Sequence, residues 1–128
     1  KDGQICSVLK KAGFKLGIIT GRHSLMVEKR ATELGFDRIV QGCKDKEKAI
    51  KEFASEFGLI TEQLAYIGDD INDLPAYRNV GLTAAPNDAL DYVSRLAHFT
   101  LATKGGKGAF REFADLILAA QNIDIATG

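Results

Sequence analysis

Along the chain, short runs of branched apolar residues alternate with longer stretches in which apolar positions recur every three or four residues. Glycines and polar clusters mark the changes. Residues 4–11 place Ile5, Val8, Leu9 and the adjoining Ala12 on one helical face, and Gly13 suits the helix end. Residues 15–19 follow as a strand, with Thr20-Gly21-Arg22 as the turn beyond it. Residues 24–34 read as a second helix with Leu25, Val27, Ala31 and Leu34 apolar, closed by Gly35 before a short strand at 38–40. Asp45 is placed to cap a third helix reaching Phe57, with Ala49, Ile50, Phe53 and Phe57 inward and Gly58 at its end. The pattern then predicts a strand at 64–67, a short helix through Tyr77, a strand at 80–84 and a helix opening near Asn87 or Asp88. An edge strand at 99–101 follows. Gly105, Gly106 and Gly108 form a loop, and residues 109–120 make an amphipathic helix burying Phe110, Phe113, Leu116 and Ile117.

Strands joined by helices predict an α/β fold whose mostly parallel sheet is covered on both faces, because parallel strands need crossovers. No internal repeat or second domain is visible, so residues 1–128 are expected to form a single domain. In such sheets ligands gather at the carboxyl ends of the strands. Three polar clusters fall there, at 20–22, 42–46 and 68–73.

Charge narrows the partners. The 128 residues carry 17 basic and 17 acidic side chains, a formal net charge of +0. Such a chain has no global field to hold nucleic acid or an anionic membrane. No apolar run approaches the roughly 20 residues that span a bilayer, and Lys1-Asp2-Gly3-Gln4 lacks the apolar core of a signal peptide. A cytoplasmic protein is expected. Cys6 and Cys43 are too few for a disulfide scaffold and have no metal-type spacing, so both are expected as free thiols.

Gly68-Asp69-Asp70-Ile71-Asn72-Asp73 crowds three carboxylates beyond an apolar strand. Two carboxylates about 4 Å apart repel by roughly 4 kcal/mol at an effective dielectric of 20, so they either splay into solvent or gather around a cation. Oxygen-only ligands favour magnesium. The alternative is that Asp70 caps a helix while Asp69 and Asp73 are solvated. Thr20-Gly21-Arg22 offers a hydroxyl, backbone N–H groups and a guanidinium fork to an oxyanion, although Thr-Gly also serves turns and caps alone. Lys46 stands in the first turn of a helix, where the macrodipole disfavours a cation. A broken local rule suggests a compensating role, whereas the plain alternative is a solvated charge run through Lys44-Asp45-Lys46-Glu47-Lys48. His23 reads as a surface residue and His98 as a structural one. Lys104-Gly105-Gly106-Lys107-Gly108 resembles an anion-cradling loop without the full P-loop pattern, and Arg111 beyond it either reaches the same anion or pairs with Glu112 or Asp115.

Taken in order, Ile18-Ile19-Thr20-Gly21-Arg22, Gln41-Gly42-Cys43-Lys44-Asp45-Lys46 and Ala65-Tyr66-Ile67-Gly68-Asp69-Asp70-Ile71-Asn72-Asp73 resemble the second, third and fourth motifs of the haloacid dehalogenase superfamily. With Lys1-Asp2-Gly3 and Gly105-Gly106-Lys107-Gly108-Ala109-Phe110-Arg111-Glu112, the wording is similar to the capless branch, over essentially the whole chain. The resemblance implies a Rossmann-like three-layer α/β/α fold and a magnesium-dependent phosphatase of a sugar-acid phosphate, with 3-deoxy-D-manno-octulosonate 8-phosphate as the expected substrate. It further implies that Thr20 and Gly21 bind the phosphoryl group, Lys46 neutralises it, and Arg22 faces the sugar acid. Asp69 would ligate magnesium, and Asp73 would support both the metal site and Lys46. Lipopolysaccharide precursor synthesis and a homotetramer are implied as well.

The superfamily's first motif, an aspartate nucleophile followed two residues later by an aspartate acid–base, is absent: no two aspartates stand two positions apart anywhere in the 128 residues. The expectation is therefore a domain without its N-terminal central strand, and a chain that is inert as written because the acyl-phosphate step has no nucleophile. The alternatives are a phosphatase of a nine-carbon sialic-type acid, a domain associated with a cytidylyltransferase, and a non-catalytic scaffold of the same fold.

Overall fold

The computed structural model describes residues 2–104 and 108–120. Its elements follow the alternation in the sequence: α1 (Asp2–Lys11), β1 (Gly17–Ile19), α2 (Leu25–Glu33), β2 (Arg38–Val40), α3 (Lys46–Glu56) and β3 (Ala65–Ile67). Then come α4 (Leu74–Tyr77), β4 (Leu82–Ala85), α5 (Asp91–Leu96), β5 (Phe99–Thr100) and α6 (Ala109–Ala120). Single 3-10 turns at Thr61–Gln63 and Ile71–Asp73 precede β3 and α4. Among the described residues no helix is long and apolar enough to cross a membrane.

Every strand pairing is parallel. The strands fall into two sheets, β1-β2 with Gly17 opposite Arg38, and β3-β4-β5 with Ala65 opposite Leu82. Helices cover both faces. Adjacent residues of a strand point to opposite sides, and Tyr66 joins the cluster of Ile50, Ala54, Leu64 and Ala76 around α3, while Ile67 joins that of Ala84, Leu101, Ala109 and Phe113 beneath α6. Ile19 of β1 also packs on the α3 cluster, so one helix bridges the two sheets. On the side of α6, α1 supplies Ile5, Cys6 and Leu9 against Leu16, Ala114 and Leu118.

The helix starts follow ordinary capping chemistry. The Ser24 hydroxyl accepts from the Val27 amide at 3.2 Å, and Asp45 Oδ1 accepts from the Lys48 amide at 3.0 Å. Four expectations need correction. Leu25 is 85% exposed and Val27 is exposed as well, because α2 begins beyond the carboxyl end of β1 and its first turn overhangs the sheet. Ala12 is exposed just past the end of α1, and Cys6 takes the buried place. Leu116 is exposed: it lies two residues from both Ala114 and Leu118, hence on the opposite side of α6 from the buried stripe. The helix expected near Asn87 or Asp88 starts at Asp91. Its delay has a cause in the amides, since Asn87 N–H bonds Thr103 O, Ala89 N–H bonds Pro86 O and Leu90 N–H reaches Asp69 O. The Gly105 to Lys107 part of the glycine loop and the tail from residue 121 lie outside the described residues.

Candidate active site

The acidic cluster begins where β3 ends. Asp70 Oδ1 accepts from the Ile71 amide at 2.7 Å and starts the 3-10 turn, which carries Asp73 back beneath the strand end. Gly68 makes that return possible, because a Cβ there would lie 2.6 Å from Asp73 Cγ. Asp73 is only 5% exposed. Its Oδ2 accepts from the amides of Asp69 and Asp70 at 2.9 and 3.1 Å, and its Oδ1 accepts from Lys46 Nζ at 2.7 Å and from the Tyr66 hydroxyl. Burial alone would raise this carboxyl, but the Lys46 ammonium, the Tyr66 hydroxyl and the Asp70 amide outweigh it and hold Asp73 below the usual carboxylate range. The reading in which Asp73 is solvated is thereby excluded. That in which Asp70 caps a helical turn is correct for Asp70.

Lys46 is the first residue of α3, and its side chain, 10% exposed, turns away from the helix N-terminus to reach Asp73. The buried carboxylate compensates the unfavourable dipole. Of the three ammonium protons, one is committed to Asp73, the acceptor that the described residues give it.

The turn after β1 is stitched to the turn after β2. Thr20 N–H bonds Val40 O at 2.9 Å, Gly42 N–H bonds Arg22 O at 3.0 Å, Cys43 N–H bonds Thr20 O at 2.9 Å, and Ser24 N–H bonds Gln41 Oε1 at 2.7 Å. Gly42 has φ +62°, and the His23 imidazole occupies the space that a Cβ at residue 42 would need. The Thr20 hydroxyl accepts from the Arg22 amide at 3.2 Å, which leaves its own proton free to donate. Gly21 and Arg22 are exposed, and Arg22 forms no ion pair with a described residue. Thr20 is thus linked through Cys43 to the start of α3, Lys46 to Asp73, and Asp73 to the amide of Asp69. All four lie at the carboxyl ends of the strands.

The Asp69 side chain is exposed and makes no hydrogen bond to a described residue. A free carboxylate at a strand end is a suitable hard donor for magnesium. It is one donor and not a shell: among the described residues no three His, Cys, Asp or Glu side chains gather to hold a metal.

Several candidates stand outside this cluster. His98 Nδ1 accepts from the Thr83 amide at 2.9 Å and binds β4 to the start of β5, a structural role. Arg111 pairs with Asp115 at 3.7 Å. Glu112 instead grips the amides of Ala102 and Thr103 at 3.0 and 2.9 Å, ahead of the lysine-glycine loop. Sequence reasoning missed two phenols. Tyr66 reaches Asp73, and Tyr77 donates to the carbonyls of Gly68 and Ala84 at 2.7 and 3.2 Å, with burial and the nearby Asp73 charge pushing its hydroxyl up to about 12. Burial and the Asp73 carboxylate likewise keep the Tyr66 phenol protonated. The one signal was a tyrosine inside an otherwise apolar strand, Ala65-Tyr66-Ile67.

A hydroxyl turn, a buried ammonium and a free carboxylate at the strand ends of a parallel α/β sheet suit metal-assisted phosphoryl-transfer enzymes, whose catalysis is mostly positioning and charge neutralisation. The sequence profile of haloacid dehalogenase-like hydrolases matches residues 3–81, and the chain belongs to that family. It is 41% identical over 129 residues to the 3-deoxy-D-manno-octulosonate 8-phosphate phosphatase KdsC of Yersinia pestis, covering 100% of this chain and 69% of the relative. Among solved structures it superimposes on the cobalt-bound deoxy-D-mannose-octulosonate 8-phosphate phosphatase of Haemophilus influenzae with a TM-score of 0.91 at 40% identity, covering 94% of this chain and 71% of that one. The Moraxella catarrhalis 3-deoxy-D-manno-octulosonate 8-phosphate phosphatase, in complex with a magnesium ion, a phosphate ion and a KDO molecule, gives a TM-score of 0.90 at 40% identity and the shares 94% and 70%.

Proposed function

We propose that this chain is the larger part of a magnesium-dependent phosphatase that hydrolyses 3-deoxy-D-manno-octulosonate 8-phosphate to the free sugar acid and phosphate. The observation that carries the reading is the buried Lys46–Asp73 pair, set between the Thr20 turn and the free carboxylate of Asp69. Asp73 anchors the ammonium by one proton, and the other two are directed to the phosphoryl oxygens. The Thr20 hydroxyl and the Gly21 backbone donate to the same group. Arg22, unpaired within the described chain, offers a planar fork to the carboxylate of the sugar acid. Asp69 contributes one oxygen to the magnesium shell, and bound magnesium supplies charge neutralisation at the phosphoryl oxygens.

The reaction also needs an aspartyl nucleophile and its acid–base partner, and the 128 residues hold no Asp-x-Asp. We therefore read residues 1–128 as one domain lacking that strand, and the polypeptide as inert by itself. The family resemblance supports three further readings: a cytoplasmic enzyme, a homotetramer, and a place in lipopolysaccharide precursor synthesis.

The test is magnesium-dependent phosphate release from a panel of sugar phosphates, run on the 128-residue chain and on the full translation product of its gene. The full product is expected to turn over the eight-carbon sugar-acid phosphate in preference to a nine-carbon sialic acid phosphate, and the chain alone to release none. Turnover by the chain that vanishes in Asp69→Ala would overturn the inertness. A full product that hydrolyses no sugar phosphate would leave the scaffold reading.

A further inference from the structure

Asp73 accepts four hydrogen bonds, and the four donors differ in stiffness. The amides of Asp69 and Asp70 hold Oδ2 and belong to the backbone. On Oδ1 the two donors are the Lys46 ammonium, at the end of a four-carbon stem, and the Tyr66 hydroxyl. Lysine is a flexible point charge and takes its direction from its acceptor. The phenol is rigid: its ring packs in the cluster of Ile50, Ala54, Leu64 and Ala76 and lies edge-on to Tyr77, with centroids 6.1 Å apart and planes at 76°. Two amides fix one oxygen of a carboxylate and leave the other free to swing about it. The Tyr66 hydroxyl stops that swing and occupies one side of Oδ1, leaving the other to Lys46.

We propose that Tyr66 is a positioning residue of the phosphoryl site: by fixing Asp73 Oδ1 it aims the Lys46 ammonium at the oxyanion bound beside the Thr20 turn. The role rests on the reading that Lys46 meets the phosphoryl group. It extends that reading to a residue that touches neither substrate nor metal.

The experiment is calorimetric titration of the 128-residue chain with inorganic phosphate in the presence of magnesium, over a cycle of Tyr66→Phe, Lys46→Met and both together. Tyr66→Phe keeps the ring and its edge contact and removes only the donor. It is expected to weaken phosphate binding about tenfold in the parent, as loss of a hydrogen bond to a charged group would, and less than about twofold in the Lys46→Met background. The ammonium resonance of Lys46 in nitrogen-15 labelled protein is expected to broaden in Tyr66→Phe and to persist in Tyr77→Phe, which removes the neighbouring phenol. A tenfold loss repeated in the Lys46→Met background would mean that Tyr66 acts through the fold at large and would overturn the proposal. So would parent-like binding by Tyr66→Phe where Lys46→Met binds poorly, with the phosphoryl-site reading intact. Phosphate binding that is absent, or indifferent to Lys46→Met, would overturn that reading and the role of Tyr66 with it.

Discussion

Both oxygens of Asp73 face two donors each, so no neutral amide fits in its place. Whichever way an asparagine side chain turns, its NH2 meets either the amides of Asp69 and Asp70 or the Lys46 and Tyr66 donors. Asp73→Asn should therefore destabilise the chain by about 2–4 kcal/mol in urea unfolding, because a buried ammonium loses its counter-charge and a donor pair clashes. Asp70→Asn should change stability by less than about 0.5 kcal/mol, since Asp70 is exposed and asparagine caps as well as aspartate. The same geometric reasoning separates two variants of His98. Its Nδ1 accepts the Thr83 amide, so His98→Asn, with Oδ1 near that place, should stay close to the parent, whereas His98→Ala should lower stability by about 1–2 kcal/mol in the same assay. How legible each residue was depended on whether it broke a rule. Lys46 did, as a cation at a helix start, and the structure supplies the buried anion that answers it. Tyr66 broke none, because a tyrosine in a strand fits any half-buried surface, and its partner lies seven residues away across a turn whose course the sequence does not reveal.

Elements that pack as isolated amphipathic units were legible to the residue: β2 at Arg38–Val40, α6 at Ala109–Ala120 and the Asp45 cap of α3. What escaped depends on neighbours, such as the late start of α5, set by amide bonds to Pro86, Thr103 and Asp69, and the outward face of α2. Asp37 is another case of this kind. Its Oδ2 accepts from the Leu16 amide at 2.8 Å and its Oδ1 from Lys10 Nζ at 2.9 Å, so one side chain ties α1 to the segments entering β1 and β2. Burial pushes its carboxyl up, but the Leu16 amide and Lys10 outweigh that and set it below the ordinary value. A carboxyl lowered by folding stabilises the native state above its unfolded pKa, about 4, and loses that contribution as the pH falls through the native value. Asp37→Asn should cost about 1–2 kcal/mol at pH 7, and its penalty should shrink as the pH drops below about 4, measured by urea midpoints across pH. Lys10→Met should cost less than about 1 kcal/mol, because Lys10 is 39% exposed and its charge is screened by solvent.

At the scale of the molecule, the sequence predicted parallel strands covered by helices, and that arrangement is present. The described strands form two sheets that share no backbone hydrogen bond. What joins them is side-chain packing, Ile19 of β1 and Tyr66 of β3 against the same face of α3. The arrangement makes hydrogen-bond protection unequal along the sheet. β4 is paired on both sides, with β3 and β5, while β1 is paired only with β2 and β3 only with β4. An unpaired edge leaves amides to water, and such amides exchange through local openings that need no global unfolding. In native-state hydrogen exchange the amides of Ala84 and Ala85 should be the slowest in the sheet. Those of Gly17 to Ile19 and Ala65 to Ile67 should include members faster by at least about tenfold. If the two sheets closed on each other in solution, the amides of β1 and β3 would match those of β4, and the contrast would be gone. Because Thr20 and Asp69 stand at the ends of β1 and β3, the same measurement reports how firmly the two halves of the proposed phosphoryl site are held together.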